Sequence, residues 1–236
     1  YNALTFRLEK RLSSGLQFLS AYTWAKNLDN VVEDNNEVGG QGALNPYDRR
    51  LERARSVNDI RHNWVFSSVY ELPFGRGKRW ATGGGPRDLL FGGWQVGAIV
   101  SVRTGAPFTV VTTGNITNAG GADRPTRLGS GELSSSERTI DRWFDTSAFA
   151  VQRQYTYGNS GRNILSGPGL KNLDVSLAKT FSLLEHLDLQ FRAEAFNATN
   201  TPAFGQPNAT LNSPGVGVIN SAGDPRRLQL ALKLLW

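Results

Sequence analysis

Histidine occurs twice, at His62 and His186, and cysteine not at all. Imidazole or thiolate chemistry needs such groups gathered at one point. Absent cysteine rules out disulfides and thiolate metal sites, and the two histidines fall in segments expected at opposite ends of the fold. Asp29, Asn30, Glu33, Asp34, Asn35, Asn36 and Glu37 offer the oxygens that calcium takes in groups of about six to eight, without the ordered spacing of a calcium loop, so no metal is assigned. Gly83-Gly84-Gly85 and Phe74-Gly75-Arg76-Gly77-Lys78 set glycines near basic residues but lack the strand, spacing and helix of a phosphate cradle, and read as turns. No serine, histidine and carboxylate set sits in the context of a nucleophile. No catalytic residue and no cofactor is assigned, and the chain is not expected to be an enzyme. A net charge of +6 permits nucleic-acid binding, but the densest basic run, Arg49-Arg50 with Arg53 and Arg55, is interleaved with Asp48 and Glu52. It reads as a solvated loop, with no nucleic-acid partner.

Whatever chemistry exists must then be binding, and the elements that position it are strands. Apolar and polar residues alternate in about seven runs, each bounded by Gly, Pro, Asn or Ser. These runs are Ala3 to Arg11, Leu16 to Ala25, His62 to Leu72, Gly93 to Arg103, Asn172 to Phe181, Leu187 to Asn197 and Leu228 to Trp236. In the second, Leu16, Phe18, Tyr22 and Trp24 oppose Gln17, Ala21 and Thr23; in the third, Trp64, Phe66, Tyr70 and Leu72 oppose Asn63, Ser67 and Glu71. The last places Leu228, Leu230, Leu232, Leu234 and Trp236 on one face, at the length of roughly 9 to 11 residues that a tilted strand needs to cross lipid. Lys179 is the clear charge on an otherwise apolar set of faces. Asp188, Arg192 and Glu194 are placed to form a charged ladder with Lys233 and Arg227. The chain of 236 residues with 39% hydrophobic residues is long enough for one all-β domain.

The connections alternate in length. Leu12 to Gly15 and Ser182 to His186 are short and Pro73 to Gly92 is intermediate, whereas Lys26 to Arg61, Thr104 to Lys171 and Ala198 to Arg227 are long. Outer-membrane barrels carry short periplasmic turns and longer extracellular loops, and this parity puts Trp236 at the periplasmic rim. Aromatic side chains favour the headgroup layer. The expected lipid-facing and girdle residues are Tyr22, Trp24 and Trp64 at the outer end, Tyr70, Phe74, Trp94, Phe181 and Trp236 at the inner end, and Leu230 and Leu232 between them. No apolar run reaches the roughly 18 residues of a membrane helix, as expected of a barrel.

Six segments carry a family resemblance: Tyr22-Thr23-Trp24-Ala25-Lys26, Glu71-Leu72-Pro73-Phe74-Gly75-Arg76-Gly77-Lys78, Gly93-Trp94-Gln95, Thr104-Gly105-Ala106-Pro107-Phe108, Arg192-Ala193-Glu194-Ala195-Phe196-Asn197 and Asp224-Pro225-Arg226-Arg227. In this order they resemble the carboxy-terminal barrel half of TonB-dependent outer-membrane receptors, in particular the Oar-like group, which often carries a carboxypeptidase-regulatory-like domain before the plug. The resemblance implies an all-β, antiparallel up-and-down transmembrane β-barrel of about 22 strands, of which residues 1–236 are a carboxy-terminal arc. A plug, a TonB box and the remaining strands are expected upstream. Tyr1 lies inside an alternating run and the chain has no methionine, so truncation or processing is expected, and no signal peptide is visible. The terminal residue in the family is usually phenylalanine; Trp236 stands in as the aromatic signal to the barrel-assembly machinery.

The function implied is import of a scarce ligand across the outer membrane of a Gram-negative cell, driven by TonB acting on the plug. Partners are then outer-membrane lipid, TonB through the upstream region, the assembly machinery and an unidentified small ligand. Candidate ligand contacts are the arginine and aromatic residues of the outer loops, which combine contact area with directional polar groups: Asn45, Tyr47, Arg49, Arg50, Arg124, Arg127, Trp143, Tyr155, Tyr157 and Arg162. The alternative is a soluble all-β binding module whose tryptophans stack on carbohydrate. A β-rich hydrolase is the third reading.

Overall fold

Unbroken alternation rich in aromatic and β-branched residues favours extended chain with two distinct faces, and each such run is a strand. The computed structural model describes residues 1–30, 43–45, 47–75, 78–80, 90–119, 123–184 and 186–236. Glu33, Asp34, Asn35, Asn36, Glu37, Arg76, Gly77, Gly83, Gly84 and Gly85 lie outside the described residues. Seven long strands form one antiparallel sheet: β1 (Asn2–Ser13), β2 (Leu16–Lys26), β3 (His62–Glu71), β4 (Trp94–Arg103), β5 (Leu170–Leu184), β6 (Leu187–Phe196) and β7 (Arg227–Leu235). Neighbours in sequence are neighbours in the sheet, so the three long connections, 27–61, 104–169 and 197–226, share one end of it.

Turn chemistry and register fix the faces. Ser13 pairs with Leu16, leaving Ser14 (φ 53°) and Gly15 (φ 78°) as a two-residue turn with both φ positive, the hairpin geometry that matches strand twist. Phe6 lies opposite Tyr22, Tyr22 opposite Trp64 and Trp64 opposite Val102, while Ala98, Val175, Ala195 and Leu228 continue the same face across β4 to β7. The other face carries rows such as Gly97, Ser176, Glu194 and Gln229. Curvature distinguishes the two. A hollow of about 430 Å³ opens on the side of Glu9, Gln17, Ser67, Gly97, Ser176 and Glu194, so the polar face is concave and the apolar face convex. A Cβ at Gly97 would lie 2.4 Å from Ser176 Oγ, which explains glycine at the centre of the concavity.

Lys179, the expected exception on the apolar face, is buried to 4% exposure. Its ammonium lies 5.2 Å from the Trp94 ring centroid and 4.8 Å from that of Phe181 and donates to the Gly92 carbonyl. Two π faces and a carbonyl thus replace water around the cation. Lys10 and Lys171 also fall on this face by register, opposite Phe18 and Val102 respectively. The ladder expected from Asp188, Arg192, Glu194, Lys233 and Arg227 does not form. Lys233 lies opposite Gln190 and Arg227 opposite Phe196, while Arg192 pairs with Glu194 of its own strand at 2.9 Å and Arg227 with Asp224 at 2.5 Å. Register sets the partners, and it places no opposite charges across β6 and β7. Strand bounds differ from the expected ones mainly at β5, which runs well beyond Asn172 and Phe181 because β4 and β6 supply partners along its extensions.

The packed core does not lie in the sheet. Phe108, Val110, Phe144, Phe149, Leu165 and Ala209 form it, all from the connections 104–169 and 197–226, with Phe108 and Phe149 rings 5.6 and 6.0 Å from that of Phe144. Three two-residue ladders hold this cap: Leu28–Asp29 with Ala54–Arg55, Pro107–Phe108 with Leu165–Ser166, and Thr126–Arg127 with Phe149–Ala150. From sequence these stretches are expected as plain loops, because their apolar residues are too sparse and aperiodic to signal strand or helix.

Leu230 pairs with Ala193 and Leu232 with Phe191 on the convex face, whereas Gln229 pairs with Glu194 on the concave one. In lipid-vesicle unfolding of the full-length protein, Leu230→Arg or Leu232→Arg should cost about 2–4 kcal/mol at mid-bilayer depth and Gln229→Arg much less. Equal costs would refute this register.

Candidate functional site

The cap is assembled by ion pairs that its local structure directs inward. Asp48 accepts from the Arg50 backbone and caps the 3-10 turn Arg49–Glu52, which leaves Arg49 and Arg50 exposed and Glu52 at 2% exposure. The Glu52 carboxylate receives Arg124 as a fork, Nη2 to Oε1 at 2.8 Å and Nη1 to Oε2 at 3.3 Å, and the Leu44 N–H at 2.9 Å. Arg162 donates to the Glu52 carbonyl at 3.2 Å and pairs with the Asp29 carboxylate. These contacts join the first outer connection to the second. The third joins through Val111 N to Ala209 O at 3.0 Å, Trp143 N to Gly217 O at 2.9 Å and Ile219 N to Ile140 O at 2.8 Å.

A second buried centre is Asp59, whose side chain is fully buried. Its carboxylate accepts from Asn27 N at 2.6 Å and Arg55 Nε at 2.8 Å, with Arg61 at 3.5 Å. Burial pushes the carboxyl up, but the Asn27 N–H and the two guanidinium groups outweigh it and hold the group below its ordinary 3.8. Arg55 also donates to Ser166 Oγ at 2.9 Å, and Asn163 Nδ2 to the Arg55 carbonyl at 2.9 Å, which locks this centre to the second connection.

The residues expected to touch ligand divide accordingly. Arg124 and Arg162, at 2% and 4% exposure, are clamps of the cap, their guanidinium groups buried against Glu52 and Asp29. Tyr47 at 98%, Tyr155 at 69% and Tyr157 at 43% exposure face solvent, as do Arg49, Arg50 and Arg127. Arg50 leans on Asp48 at 2.9 Å, and Asn45 accepts from Tyr47 N at 3.0 Å, so Asn45, Tyr47, Arg49 and Arg50 form one group. Arg127 N donates to Asn159 Oδ1 at 2.6 Å, which brings Arg127 beside the Tyr155 and Tyr157 segment as a second. Trp143 packs against the cap core and donates to the Ser166 carbonyl at 2.9 Å. Tyr155 holds φ 61°, a conformation uncommon for an aromatic residue. Of the acidic and amide cluster, Asp29 is held by Arg162 and Asn30 O accepts from Arg49 at 3.2 Å.

Sequence reasoning missed Glu52 and Asp59, and it missed an apolar patch on the concave face. Val65, Val69 and Ile99, at 39%, 37% and 48% exposure, project there with Leu19 around Gly97. The signal was legible: Val65 and Val69 interrupt the polar parity of His62 to Glu71. At the convex outer rim, Tyr22 OH and His62 Nδ1 lie 2.8 Å apart and Trp64 Nε1 donates to Ser20 at 3.0 Å. His186 sits in the turn between β5 and β6 at the other end of the sheet.

A family model described as an outer membrane beta barrel domain matches residues 1–229. No curated protein and no solved structure matches the chain.

Glu52→Gln removes the Glu52 carboxylate charge from the buried Arg124 guanidinium, which costs about 3–5 kcal/mol. Hydrogen exchange should show lost protection at 108–112 with β4 and β5 unchanged; unchanged protection at 108–112 would exclude the clamp. The depressed Asp59 carboxyl adds stability that is present above its ordinary value and lost as pH falls through the lowered one. Cap protection should therefore weaken below pH 3.8, and Asp59→Asn should flatten the response in that window.

Proposed function

The chain belongs to the outer membrane beta barrel domain family, and from that premise we propose that it forms wall and extracellular loops of a TonB-dependent receptor of the Oar-like group. Its place is the outer membrane, and the soluble carbohydrate-binding alternative falls with that placement. The convex face, with Leu228, Leu230 and Leu232 at 75%, 72% and 70% exposure, is the surface that lipid covers.

The observation that carries the receptor reading is the patch of Leu19, Val65, Val69 and Ile99 on the concave face. A barrel that conducts water lines its lumen with polar groups; exposed aliphatic side chains in a lumen favour cover by packed protein. A plug supplies such cover, and a plug is what TonB acts upon. In this reading the upstream region provides the plug, the TonB contact and the strands that pair with the free edges of β1 and β7. The β7 strand with Trp236 addresses the assembly machinery, and the role is import, with neither catalysis nor nucleic-acid binding. The exposed groups Asn45, Tyr47, Arg49 and Arg50, and Arg127, Tyr155 and Tyr157, meet the scarce ligand outside, on a cap held in shape before the ligand arrives, which lowers the ordering cost of binding.

Cysteine is absent from these 236 residues, so Ile99→Cys in the full-length protein, with any cysteine outside them replaced by serine, gives a defined probe. A membrane-impermeant maleimide should label residue 99 slowly in cells lacking TonB and faster in energised cells that have it. Fast labelling regardless of TonB would overturn the plugged-receptor reading.

A further inference from the structure

Where the three outer connections meet the rim of the sheet, they enclose a second hollow of about 410 Å³, within the range of about 300–1,000 Å³ typical of small-molecule sites. Arg103 and Leu170, which face each other across β4 and β5, have the parity of the concave face, so the hollow opens on the lumen side just beneath the cap. Its composition is asymmetric. Val57, Ile60, Leu170 and Phe204 give it apolar walls, and among the described residues Arg103 is its one ionisable side chain and no carboxylate lines it. The nearest acid in sequence, Asp59, is buried and occupied by Arg55 and Arg61. Among the described residues the Arg103 guanidinium has no ion pair or hydrogen bond, and neither does the side-chain amide of Asn58. Both residues are exposed.

The cradle is built closely. A Cβ at Gly169 would lie 2.6 Å from the Arg103 carbonyl, and one at Gly105 would lie 1.8 Å from the Gly167 carbonyl. The backbone beneath Arg103 is thus held by glycine contacts, while its side chain is left unengaged. A planar guanidinium fork matches a carboxylate bidentately, the Asn58 amide can both donate and accept, and the Phe204 ring, 37% exposed, offers a face for an apolar or aromatic body.

We propose that this hollow is a lumen-side binding site for a small carboxylate that carries an amide and an apolar body, of the N-acylated amino-acid or short-peptide class. Arg103 takes the carboxylate, Asn58 the amide and Phe204 the apolar group. The assignment rests on the receptor reading only for its purpose, a station between the outer loops and the lumen; the binding itself needs no energy source.

Calorimetry on the full-length protein in detergent, with N-acetylphenylalanine as the probe and N-acetylphenylalaninamide as its neutral twin, tests it. The acid should bind saturably and at least about tenfold more tightly than the amide, as loss of a charge-assisted pair implies. Arg103→Gln should erase that preference, Arg103→Lys should recover part of it, and Phe204→Ala should weaken both probes. No saturable binding, equal affinity for the two probes, or a preference that survives Arg103→Gln would overturn the site. Failure of the receptor reading looks different: acid binding would persist while residue 99 labelled without regard to TonB.

Discussion

A segment that crosses lipid can leave no backbone N–H or C=O unpaired, because hydrocarbon offers no substitute for water. This requirement forces neighbouring strands into continuous ladders, and a ladder in turn forces side chains to alternate between lipid and lumen. Everything else follows from that alternation. It explains why Phe6, Tyr22, Trp64 and Val102 line up across four strands. It also explains why a one-residue slip at β7 would turn four leucines inward, and why Lys179, a buried cation on the convex face, needs Trp94, Phe181 and a carbonyl around it.

The cap obeys different physics. It is a packed aromatic core bound by buried ion pairs, in which low dielectric strengthens the paired charges and makes losing one partner costly. Glu52 pairs with Arg124 through two oxygens and holds Arg162 through its carbonyl, so one residue of the 3-10 turn ties two long connections together. Because Arg55 reaches both Asp59 and Ser166, the Asp59 centre is joined to the same assembly. The outer surface that a ligand would meet is therefore defined by residues that the ligand never touches.

How much of this was legible in the sequence depends on which physics was at work. Period-two patterning located all seven wall strands and their faces, since the lipid face demands apolar residues at every second position and Leu228 to Leu234 obey it strictly. The cap was not legible: Phe108, Phe144 and Phe149 are far apart in sequence and meet only through tertiary folding, so no local period announces them. Arg124 and Arg162 read as exposed binding residues because arginine is usually exposed; their carboxylate partners, Glu52 and Asp29, lie 72 and 133 residues away in sequence. The charged ladder failed for a narrower reason: composition shows which charges neighbouring strands carry, whereas only register shows which of them face one another. Val65 and Val69 were readable as breaks in the polar parity and were passed over.

The central claim, that one face of this sheet meets lipid and the other a protein-filled lumen, is tested most directly by spin labels placed singly along β4 from Trp94 to Arg103 in the full-length protein in bilayers. Oxygen accessibility should rise at Val96, Ala98, Val100 and Val102 and fall at Gln95, Ile99 and Ser101, with a polar relaxation agent excluded from both sets at mid-depth; Gly97, where a Cβ would meet Ser176, is left unlabelled. Uniform accessibility along the strand, or free access of the polar agent to Ile99, would contradict the account.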